Sequence, residues 1–345
     1  MAVGLRYPWF LSPIVVSLPM PTATPRDSKT TRPRLPEWLR SNLPSGNALA
    51  VYNRTNSAVE TGALHTVCEE ARCPNIHDCW SRGTATFMVA GKSCTRGCRF
   101  CSVETLKSPP PPEAEEPERL ADAVERMGLK YVVITVVDRD DLSDGGAGHY
   151  RACIDAVERR VPGIGIELLG SDLRGDLEAL RTLLEGIPLS VFAHNVECVP
   201  RIEKQVRDPR ASFDQSLAIL RESKRLRPDL LTKSSLMVGL GETDEEITEA
   251  MRLLRGADVD LLTLGQYLTP GRPNERFLPV DRYVPPTTFD GWADEARAMG
   301  FKAVASGPMV RSSFRAGVLV EAARSGRPVE ELLAIDNEPK VVTLG

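Results

Sequence analysis

Residues 84–101 read TATFMVAGKSCTRGCRFC, and this stretch is the most informative part of the chain for its fold. It begins with Thr84–Ala90, a mainly apolar run that ends at Gly91, which is typical of a short buried β-strand. A loop with three closely spaced cysteines follows: Cys94, Cys98 and Cys101. A backbone that wraps around one point brings three such thiolates together, and Gly97 makes that path easier.

Similar short runs recur along the chain and alternate with helical patterns. The further strand predictions are Tyr131–Val137, Gly165–Leu169, Leu189–His194, Lys233–Val238, Leu261–Gln266 and Phe301–Ala305. Two helices begin with capping-box patterns: Thr243 with Glu246, and Ser212 with Gln215. Repeated alternation from 84 to 306 predicts an α/β fold, a partial (β/α)6 TIM-like barrel with parallel strands inside and helices outside. The active site of such a barrel lies at the C-terminal ends of the strands.

The composition excludes several classes of protein. The chain has 345 residues, 42% of them hydrophobic, which is typical of a globular protein with a sizeable core. No apolar run reaches the roughly 20 residues of a membrane-spanning helix. The 43 basic and 47 acidic side chains give a net charge of −4, so the basic surface expected of a nucleic-acid-binding protein is missing. We therefore expect neither a membrane nor a nucleic acid as partner.

Eight cysteines, six of them between positions 68 and 101, indicate metal ligands rather than a disulfide framework. Disulfide scaffolds are usually short secreted chains, whereas this chain is long and has no convincing signal peptide. The three cysteines of 94–101 suit an iron–sulfur cube with one iron left open, because structural zinc normally takes four protein ligands. The last two cysteines, Cys153 and Cys198, are expected to be small buried hydrophobic residues.

A second set of cysteines lies upstream, in CEEARCPNIHDC at 68–79. It consists of Cys68, Cys73 and Cys79. The residues alone leave two interpretations open: a structural zinc ion completed by His77 or His65, and a second iron–sulfur cluster. Both remain because the spacing supplies three thiolates but has too few short pairs for a zinc ribbon.

The loop CTRGCRFC at 94–101, placed after the first strand of a barrel, resembles the cluster loop of radical S-adenosylmethionine enzymes. Further strings narrow the resemblance to the lipoyl synthase family, over about residues 35–317. They are CEEARCPN at 68–75, YVVITVVDRDDL at 131–142, MVGLGET at 237–243 and GPMVRSSFRAG at 307–317. The upstream cysteine spacing together with the R-S-S pattern separates this family from other radical S-adenosylmethionine enzymes.

The resemblance implies two 4Fe–4S clusters and S-adenosylmethionine as cofactors. Cys94, Cys98 and Cys101 would hold the cluster that cleaves S-adenosylmethionine, with Phe100 against the adenine. The upstream cysteines would hold an auxiliary cluster with Ser313 as its fourth ligand. The residues alone would instead make Ser312 and Ser313 a helix N-cap. Phe314 departs from the family pattern, which usually has tyrosine there, so a role for that phenol hydroxyl is lost.

The resemblance also implies a reaction: radical insertion of two sulfur atoms at C6 and C8 of a protein-bound octanoyl group. The substrate would be an octanoyl-lysine on a lipoyl carrier domain, either a 2-oxoacid dehydrogenase subunit or the glycine-cleavage carrier protein. The auxiliary cluster would be sacrificed to supply sulfur, and ferredoxin or flavodoxin would supply electrons. Two alternatives stay open, another two-cluster sulfurtransferase resembling methylthiotransferases and a zinc-stabilised binding module.

Three polar residues are candidates for contacts with S-adenosylmethionine. Asp140 follows the second strand and would bind the amino group, unless its loop is merely solvated. Asn195 follows the fourth strand and is a candidate for the ribose, the alternative being a simple turn. Arg311 would bind the carboxylate of S-adenosylmethionine or brace the auxiliary cluster. The alternative is an ordinary surface arginine without a role in the site.

The patterns divide the chain into four segments. Residues 1–34 are expected to be a disordered tail; alternatively, the start of the protein is misassigned and Met20 is the true first residue. Residues 35–83 form an N-terminal extension with the auxiliary cysteines, beginning with a short helix at Leu35–Pro44. Residues 84–306 form the barrel, and 307–345 form a C-terminal extension with the R-S-S pattern. We expect a cytoplasmic protein, because the cluster chemistry needs a reducing compartment.

Overall fold

Parallel strands in chain order form the central sheet of the computed structural model, which describes Met1 and residues 35–40, 43–271 and 276–336. They are β1 (Thr86–Val89), β2 (Tyr131–Val136), β3 (Gly165–Leu169), β4 (Val191–Ala193), β5 (Leu231–Val238), β6 (Leu261–Gln266) and β7 (Ala303–Gly307). Each pairs in parallel with the next. A two-residue strand, His65–Thr66, pairs antiparallel with β1 at one edge. In the described part of the chain β1 and β7 do not pair, so the predicted partial barrel is confirmed.

Helices connect the strands. They are α1 (Gly46–Thr61), α2 (Val67–Glu70), α3 (Ile76–Ser81), α4 (Glu116–Met127), α5 (Ala147–Arg160), α6 (Leu177–Leu184), α7 (Glu203–Val206), α8 (Phe213–Leu226), α9 (Asp244–Gly256), α10 (Pro286–Ala298), α11 (Ala316–Ser325) and α12 (Val329–Asp336). Those of the barrel, such as α4, α5 and α6, pack against the outer face of the sheet. No described helix is long and apolar enough to cross a membrane.

The two capping-box predictions have different outcomes. Thr243 and Glu246 form the complete reciprocal box at the start of α9. Ser212 accepts the Gln215 backbone N–H at the start of α8, but the Gln215 side chain donates to the Arg210 carbonyl. The prediction of a second capping box is therefore correct for the Ser212 side chain and wrong for the Gln215 side chain, because the glutamine amide has a different acceptor within reach.

The two faces of the sheet pack against different parts of the chain. Val132 and Ile134 of β2 belong to a core cluster with Leu120 and Val124 of α4, outside the barrel. The inward-facing Ala193, Leu261 and Ala303 share another cluster with Leu319 of α11 and Leu332 of α12. Burying a leucine side chain is worth about 1.5–3 kcal/mol, so these two helices anchor the C-terminal extension against the inside of the barrel.

The N-terminal extension differs from its prediction. Where the structure describes the expected helix at Leu35–Pro44, that is at 35–40 and 43–44, it has a 3-10 turn at Glu37–Leu39, in which Leu39 is buried. The long helix α1, which follows it, was missed because its sequence has no clear apolar stripe. Thr55 of α1 donates to the Trp80 carbonyl and thereby holds α1 against α3. The chain from Pro36 onward is one compact unit. The predicted boundaries near 84 and 307, between the two extensions and the barrel, therefore stay predictions. The predicted tail at 1–34 lies outside the described residues, Met1 excepted.

Candidate active site

The first cysteine loop, residues 94–101, follows β1 at its C-terminal end. The turn into it includes Ala90 with φ of 70°, a left-handed value that is uncommon for a residue with a side chain. Glu116 accepts the Ala90 N–H at 2.8 Å, and Arg139 donates to the Ala90 carbonyl at 3.1 Å. The start of the cysteine loop is therefore fixed by two side chains from neighbouring elements.

The cysteines of this loop are half-buried, and backbone N–H groups face two of their sulfur atoms. Arg96 N–H lies 3.4 Å from Cys94 Sγ, and Asp208 N–H lies 3.3 Å from Cys98 Sγ. Burial raises the pKa of Cys98 to about 12 and the pKa of Cys101 to about 11. A buried thiolate needs a compensating positive charge, and iron coordination would supply it in place of the proton.

Beneath the loop, one buried arginine joins three carboxylates from successive strand ends. The Arg96 guanidinium contacts Asp172 at 2.7 Å and Asp140 at 2.8 Å, and it lies 3.5 Å from Asp138. Both Asp140 oxygens accept hydrogen bonds from Arg96, and one of them also pairs with Arg210 at 3.1 Å. Asp140 is thus already engaged within the protein, and its predicted contact with an amino group stays a prediction.

Asp138 is the least engaged of these carboxylates. Its Oδ2 accepts from the Cys94 thiol at 3.8 Å, and its 3.5 Å distance from the Arg96 guanidinium is the longest of the three carboxylate contacts of Arg96. Burial raises the pKa of Asp138 to about 6, although the Arg96 charge acts in the opposite direction. The carboxylate that faces the Cys94 thiol is therefore Asp138, which the sequence analysis did not single out.

Two buried polar atoms beside the loop have no hydrogen-bond partner among the described residues. One is the Asn195 side-chain oxygen Oδ1, an acceptor, whose amide nitrogen donates to Glu197 at 3.1 Å. The other is Arg207 Nη1, a donor, whose second nitrogen Nη2 donates to Ser216 at 3.0 Å. Leaving such atoms unbonded costs about 1–3 kcal/mol each, so one acceptor and one donor are available here to a polar partner. Sequence analysis missed Arg207, because nothing in its local pattern marks it.

The second cysteine set lies on α2, on α3 and between them. Cys73 N–H donates to the Cys68 carbonyl at 2.9 Å, which turns the chain back on itself. Burial raises the pKa of Cys68 to about 11 and the pKa of Cys79 to about 12. The charges of Cys68 and Cys73 raise the pKa of Cys79 further, as expected for three neighbouring thiols. The structure therefore brings the three predicted ligands together.

The C-terminal R-S-S segment meets this second set. The Thr86 hydroxyl donates to Ser313 Oγ at 2.9 Å, while the Thr86 backbone N–H faces the Cys68 thiol. Asn75 Nδ2 donates to the Met309 carbonyl at 2.6 Å. Thr86 thus connects the serine with the cysteines, and it was not picked out from the sequence.

The alternative of a serine N-cap is wrong. The residue that caps α11 is Arg315, which has φ of 49° and gives no side-chain capping bond. Neither Ser312 nor Ser313 therefore occupies the capping position, because the turn at 311–314 places both serines before it. The Ser313 hydroxyl is left facing Thr86 and the second cysteine set.

Arg311 and Phe100 lie in different surroundings. The Arg311 guanidinium donates to the Val310 carbonyl at 2.6 Å, and it lies near Cys73. Burial lowers the pKa of Arg311, and the charge of Cys73 acts in the opposite direction. This position favours the bracing role over contact with a carboxylate at the first loop. Phe100 packs against a hydrophobic cluster that Leu240, after β5, also joins. Its predicted contact with adenine stays a prediction.

An open parallel barrel with a three-cysteine loop after its first strand defines the class of radical S-adenosylmethionine enzymes. The model of the radical SAM superfamily matches residues 88–254. Among solved structures, the FeFe-hydrogenase maturase HydG from Carboxydothermus hydrogenoformans superposes with a TM-score of 0.50 at 12% identity. That match covers 74% of this chain and 65% of the other. At such low identity it shows the fold alone.

Closer relatives give the family. The model of the N-terminal domain of lipoyl synthase matches residues 22–73. Lipoyl synthase from Halorhodospira halophila is 52% identical over 86% of this chain and 87% of its own length. The Thermus thermophilus enzyme is 52% identical over 81% and 85%, and the human mitochondrial enzyme is 50% identical over 84% and 77%. The chain belongs to the lipoyl synthase family, and it is an enzyme of the radical sulfur-insertion type.

These relatives decide between the alternatives. Neither a methylthiotransferase nor a zinc-stabilised module is favoured, because the family match covers most of the chain. Relatives include proteins named as mitochondrial and chloroplastic forms, so the cytoplasmic location stays a prediction. S-adenosylmethionine and iron–sulfur chemistry follow from the family.

Proposed function

We propose that this chain inserts sulfur at C6 and C8 of an octanoyl group carried on a lysine of a lipoyl carrier domain. The observation that carries the proposal is the presence of two separate, largely buried cysteine sets, with Ser313 held close to the second through Thr86. When bound, the clusters and S-adenosylmethionine would supply a carbon-centred radical and the sulfur. An unactivated C–H bond offers no acidic proton, so acid–base residues alone would not break it.

The sulfur geometry supports clusters rather than single zinc ions. Among the described residues, neither set brings its three Sγ atoms all within 4.8 Å of one another. A single zinc ion with Zn–S bonds of about 2.3 Å would hold its sulfur ligands roughly 3.8 Å apart. The wider spacing fits a cube, whose cysteine ligands sit on different iron atoms. We propose one 4Fe–4S cluster at each set, with Cys94, Cys98 and Cys101 at the first and Cys68, Cys73, Cys79 and Ser313 at the second.

The open polar atoms beside the first loop suit the polar groups of S-adenosylmethionine. We assign the Arg207 Nη1 donor to its carboxylate, since a guanidinium is the strongest partner for that group. The Asn195 Oδ1 acceptor takes a ribose hydroxyl, as expected from the sequence. The amino group lies nearer Asp138 than Asp140, because the Asp140 oxygens are already bonded to Arg96. Phe100 is the candidate for the adenine, and Arg311 braces the second cluster.

The proposed partners rest on the family. The carrier is a lipoyl domain of a 2-oxoacid dehydrogenase subunit or the glycine-cleavage carrier protein, and the electron donor is a ferredoxin or flavodoxin. A long acyl chain on a flexible lysine reaches the strand ends, where the first cysteine loop lies.

The test is an anaerobic reaction of the reconstituted protein with dithionite, S-adenosylmethionine and an octanoylated lipoyl-domain peptide, followed by mass spectrometry. A mass gain that equals two sulfurs replacing two hydrogens supports the proposal. 5′-Deoxyadenosine without any change in the peptide contradicts the proposed substrate. Iron analysis should give roughly eight irons per chain, four for each cluster. The Cys198→Ala variant is the matched control, because this buried cysteine lies outside both sets and should leave the iron content unchanged.

A further inference from the structure

A neighbouring loop without cysteines forms hydrogen bonds with the first cysteine loop. Residues 206–210, which end α7 and follow it, run alongside the cysteine loop and bond to its backbone. The Val206 carbonyl accepts the Arg99 N–H at 2.8 Å. Arg210 Nη2 donates to the Thr95 carbonyl at 2.6 Å. The cysteine loop is thus fixed near both of its ends by this segment, which we call the clasp loop.

Asp208 lies at the centre of the clasp loop. Its backbone N–H donates to Cys98 Sγ at 3.3 Å, and its carboxylate oxygen Oδ2 accepts the Gly97 N–H at 2.9 Å. The same carboxylate is bonded to Arg210, which also pairs with Asp140 at 3.1 Å. The backbone and the side chain of Asp208 therefore form hydrogen bonds with two neighbouring residues of the cysteine loop, Cys98 and Gly97.

An N–H aimed at a cysteine sulfur has a direct consequence for an iron–sulfur cluster. The reduced cluster carries one more negative charge than the oxidised cluster, so such a donor stabilises the reduced form and raises the reduction potential. The donor to Cys98 comes from a different segment of the chain, so it can be altered without changing the cysteine loop itself.

We propose that Asp208 is a positioning residue for the first cluster: its backbone N–H raises the reduction potential of that cluster by bonding to the Cys98 sulfur. The Asp208 carboxylate keeps this N–H in place through Gly97 and Arg210. The inference rests on the proposed function, since it needs a 4Fe–4S cluster at the first cysteine loop.

The test compares two substitutions. Asp208→Ala removes the carboxylate but keeps the N–H, and Asp208→Pro removes both, so the difference between them isolates the N–H. The preceding Arg207 has the extended backbone (φ −97°, ψ 162°) that a residue before proline needs. The measurement is a redox titration of the holoenzyme followed by electron paramagnetic resonance. The relevant signal is the one that changes when S-adenosylmethionine is added.

A lower midpoint potential in the proline variant than in the alanine variant, at equal iron content, is the expected result. Equal potentials would overturn the proposal. If the wild-type protein showed no signal that responds to S-adenosylmethionine, the proposed function would fail instead, and the two failures are thereby distinguished.

A second measurement decides the matter if the proline variant does not take up iron. Wild-type protein labelled with ¹⁵N-aspartate should show a ¹⁵N hyperfine coupling to the reduced cluster. The Asp208→Ala variant labelled in the same way should lack it, because its residue 208 carries unlabelled nitrogen. Identical spectra for the two proteins would contradict the hydrogen bond.

Discussion

The two cysteine sites use the same number of thiols but are held in different ways. The first is one continuous loop, fixed by charged side chains that come from the ends of several strands. The second is assembled from two distant segments, which hydrogen bonds such as Thr86 to Ser313 and Asn75 to Met309 join, together with one ion pair between Arg315 and the half-exposed Asp78. Integrity of the first site therefore depends on buried charges, whereas that of the second depends on where the C-terminal extension packs.

Charges of both signs act on the thiols of both sites. Besides burial, the Asp138 carboxylate raises the pKa of Cys94 at the first site, whereas Arg276 lowers that of Cys101. At the second site, Asp78 raises and Arg315 lowers the pKa of Cys79, again beside the larger effect of burial. The sign of the surrounding charge therefore does not distinguish the two sites; the residues that hold them do.

The largest expected effect is that substitutions at the two sites abolish different steps of the reaction. Cys98→Ala should abolish formation of 5′-deoxyadenosine, because it removes a ligand of the first cluster. Cys73→Ala should leave that cleavage measurable but abolish sulfur insertion into the octanoyl peptide. Both products are quantified in the same anaerobic assay. Cleavage that survives in the Cys98 variant would show that the roles of the two sets have been exchanged.

Arg96→Met tests the charged network of the first site. Removing the guanidinium leaves the buried Asp172 without its counter-ion, and breaking a buried pair typically costs about 3–5 kcal/mol in the free energy of unfolding. Urea denaturation of the iron-free protein measures it. Arg160→Met is the matched control, because Arg160 also contacts several carboxylates but on the exposed surface. An equal loss in both variants would contradict the importance of burial.

Much of this fold was predictable, because short β-branched runs bounded by glycine or proline mark buried strands. Predicted and observed bounds agree for β3 and β6 and differ by a few residues elsewhere. The helix α1 could not be predicted, since its residues lack an apolar period and tertiary contacts such as Thr55 to Trp80 hold it. Cysteine spacing gave the candidate ligands because each set is local in sequence.

The parts of the site that the sequence does not reveal are long-range. Asp208 lies 110 residues from Cys98, and Thr86 lies 227 residues from Ser313. Single residues of common types, without a local pattern, carry these contacts, so only the folded chain shows them. Arg96 lies inside the recognised cysteine loop, but nothing in the sequence indicates that it joins three carboxylates.

Acid should affect the first site through His194, which packs behind it. Its Nδ1 lies 2.9 Å from the Gly170 carbonyl and its Nε2 lies 2.9 Å from Ser216 Oγ. Burial lowers the pKa of His194 to about 4, from 6.5 in the unfolded chain. The unfolded state therefore binds the extra proton between these values, and stability falls as the pH drops from 6.5 to 4. The loss amounts to about 3 kcal/mol.

The measurement is the free energy of unfolding as a function of pH for the wild-type protein and for His194→Gln. Glutamine can donate to the Gly170 carbonyl and accept from Ser216, but it does not titrate. The wild-type curve should therefore fall more steeply than that of the variant between pH 6.5 and 4. Parallel curves would mean that His194 is not held neutral in the folded protein.

The second site should respond to a small change that the first site tolerates. A methyl group at Gly265 of β6 would overlap the Val310 carbonyl oxygen, which lies just before the R-S-S segment. Gly265→Ala must displace that segment, at a cost of about 1–3 kcal/mol typical of overpacking. Because Ser313 moves with it, we expect sulfur insertion to fall more than 5′-deoxyadenosine formation. Gly256→Ala is the matched control, since a methyl group at Gly256 meets nothing within 4 Å. If both activities fell equally in Gly265→Ala, the two sites would not be independent. The contrast between a first site that depends on buried charges and a second site that depends on the packing of the C-terminal extension would then be lost.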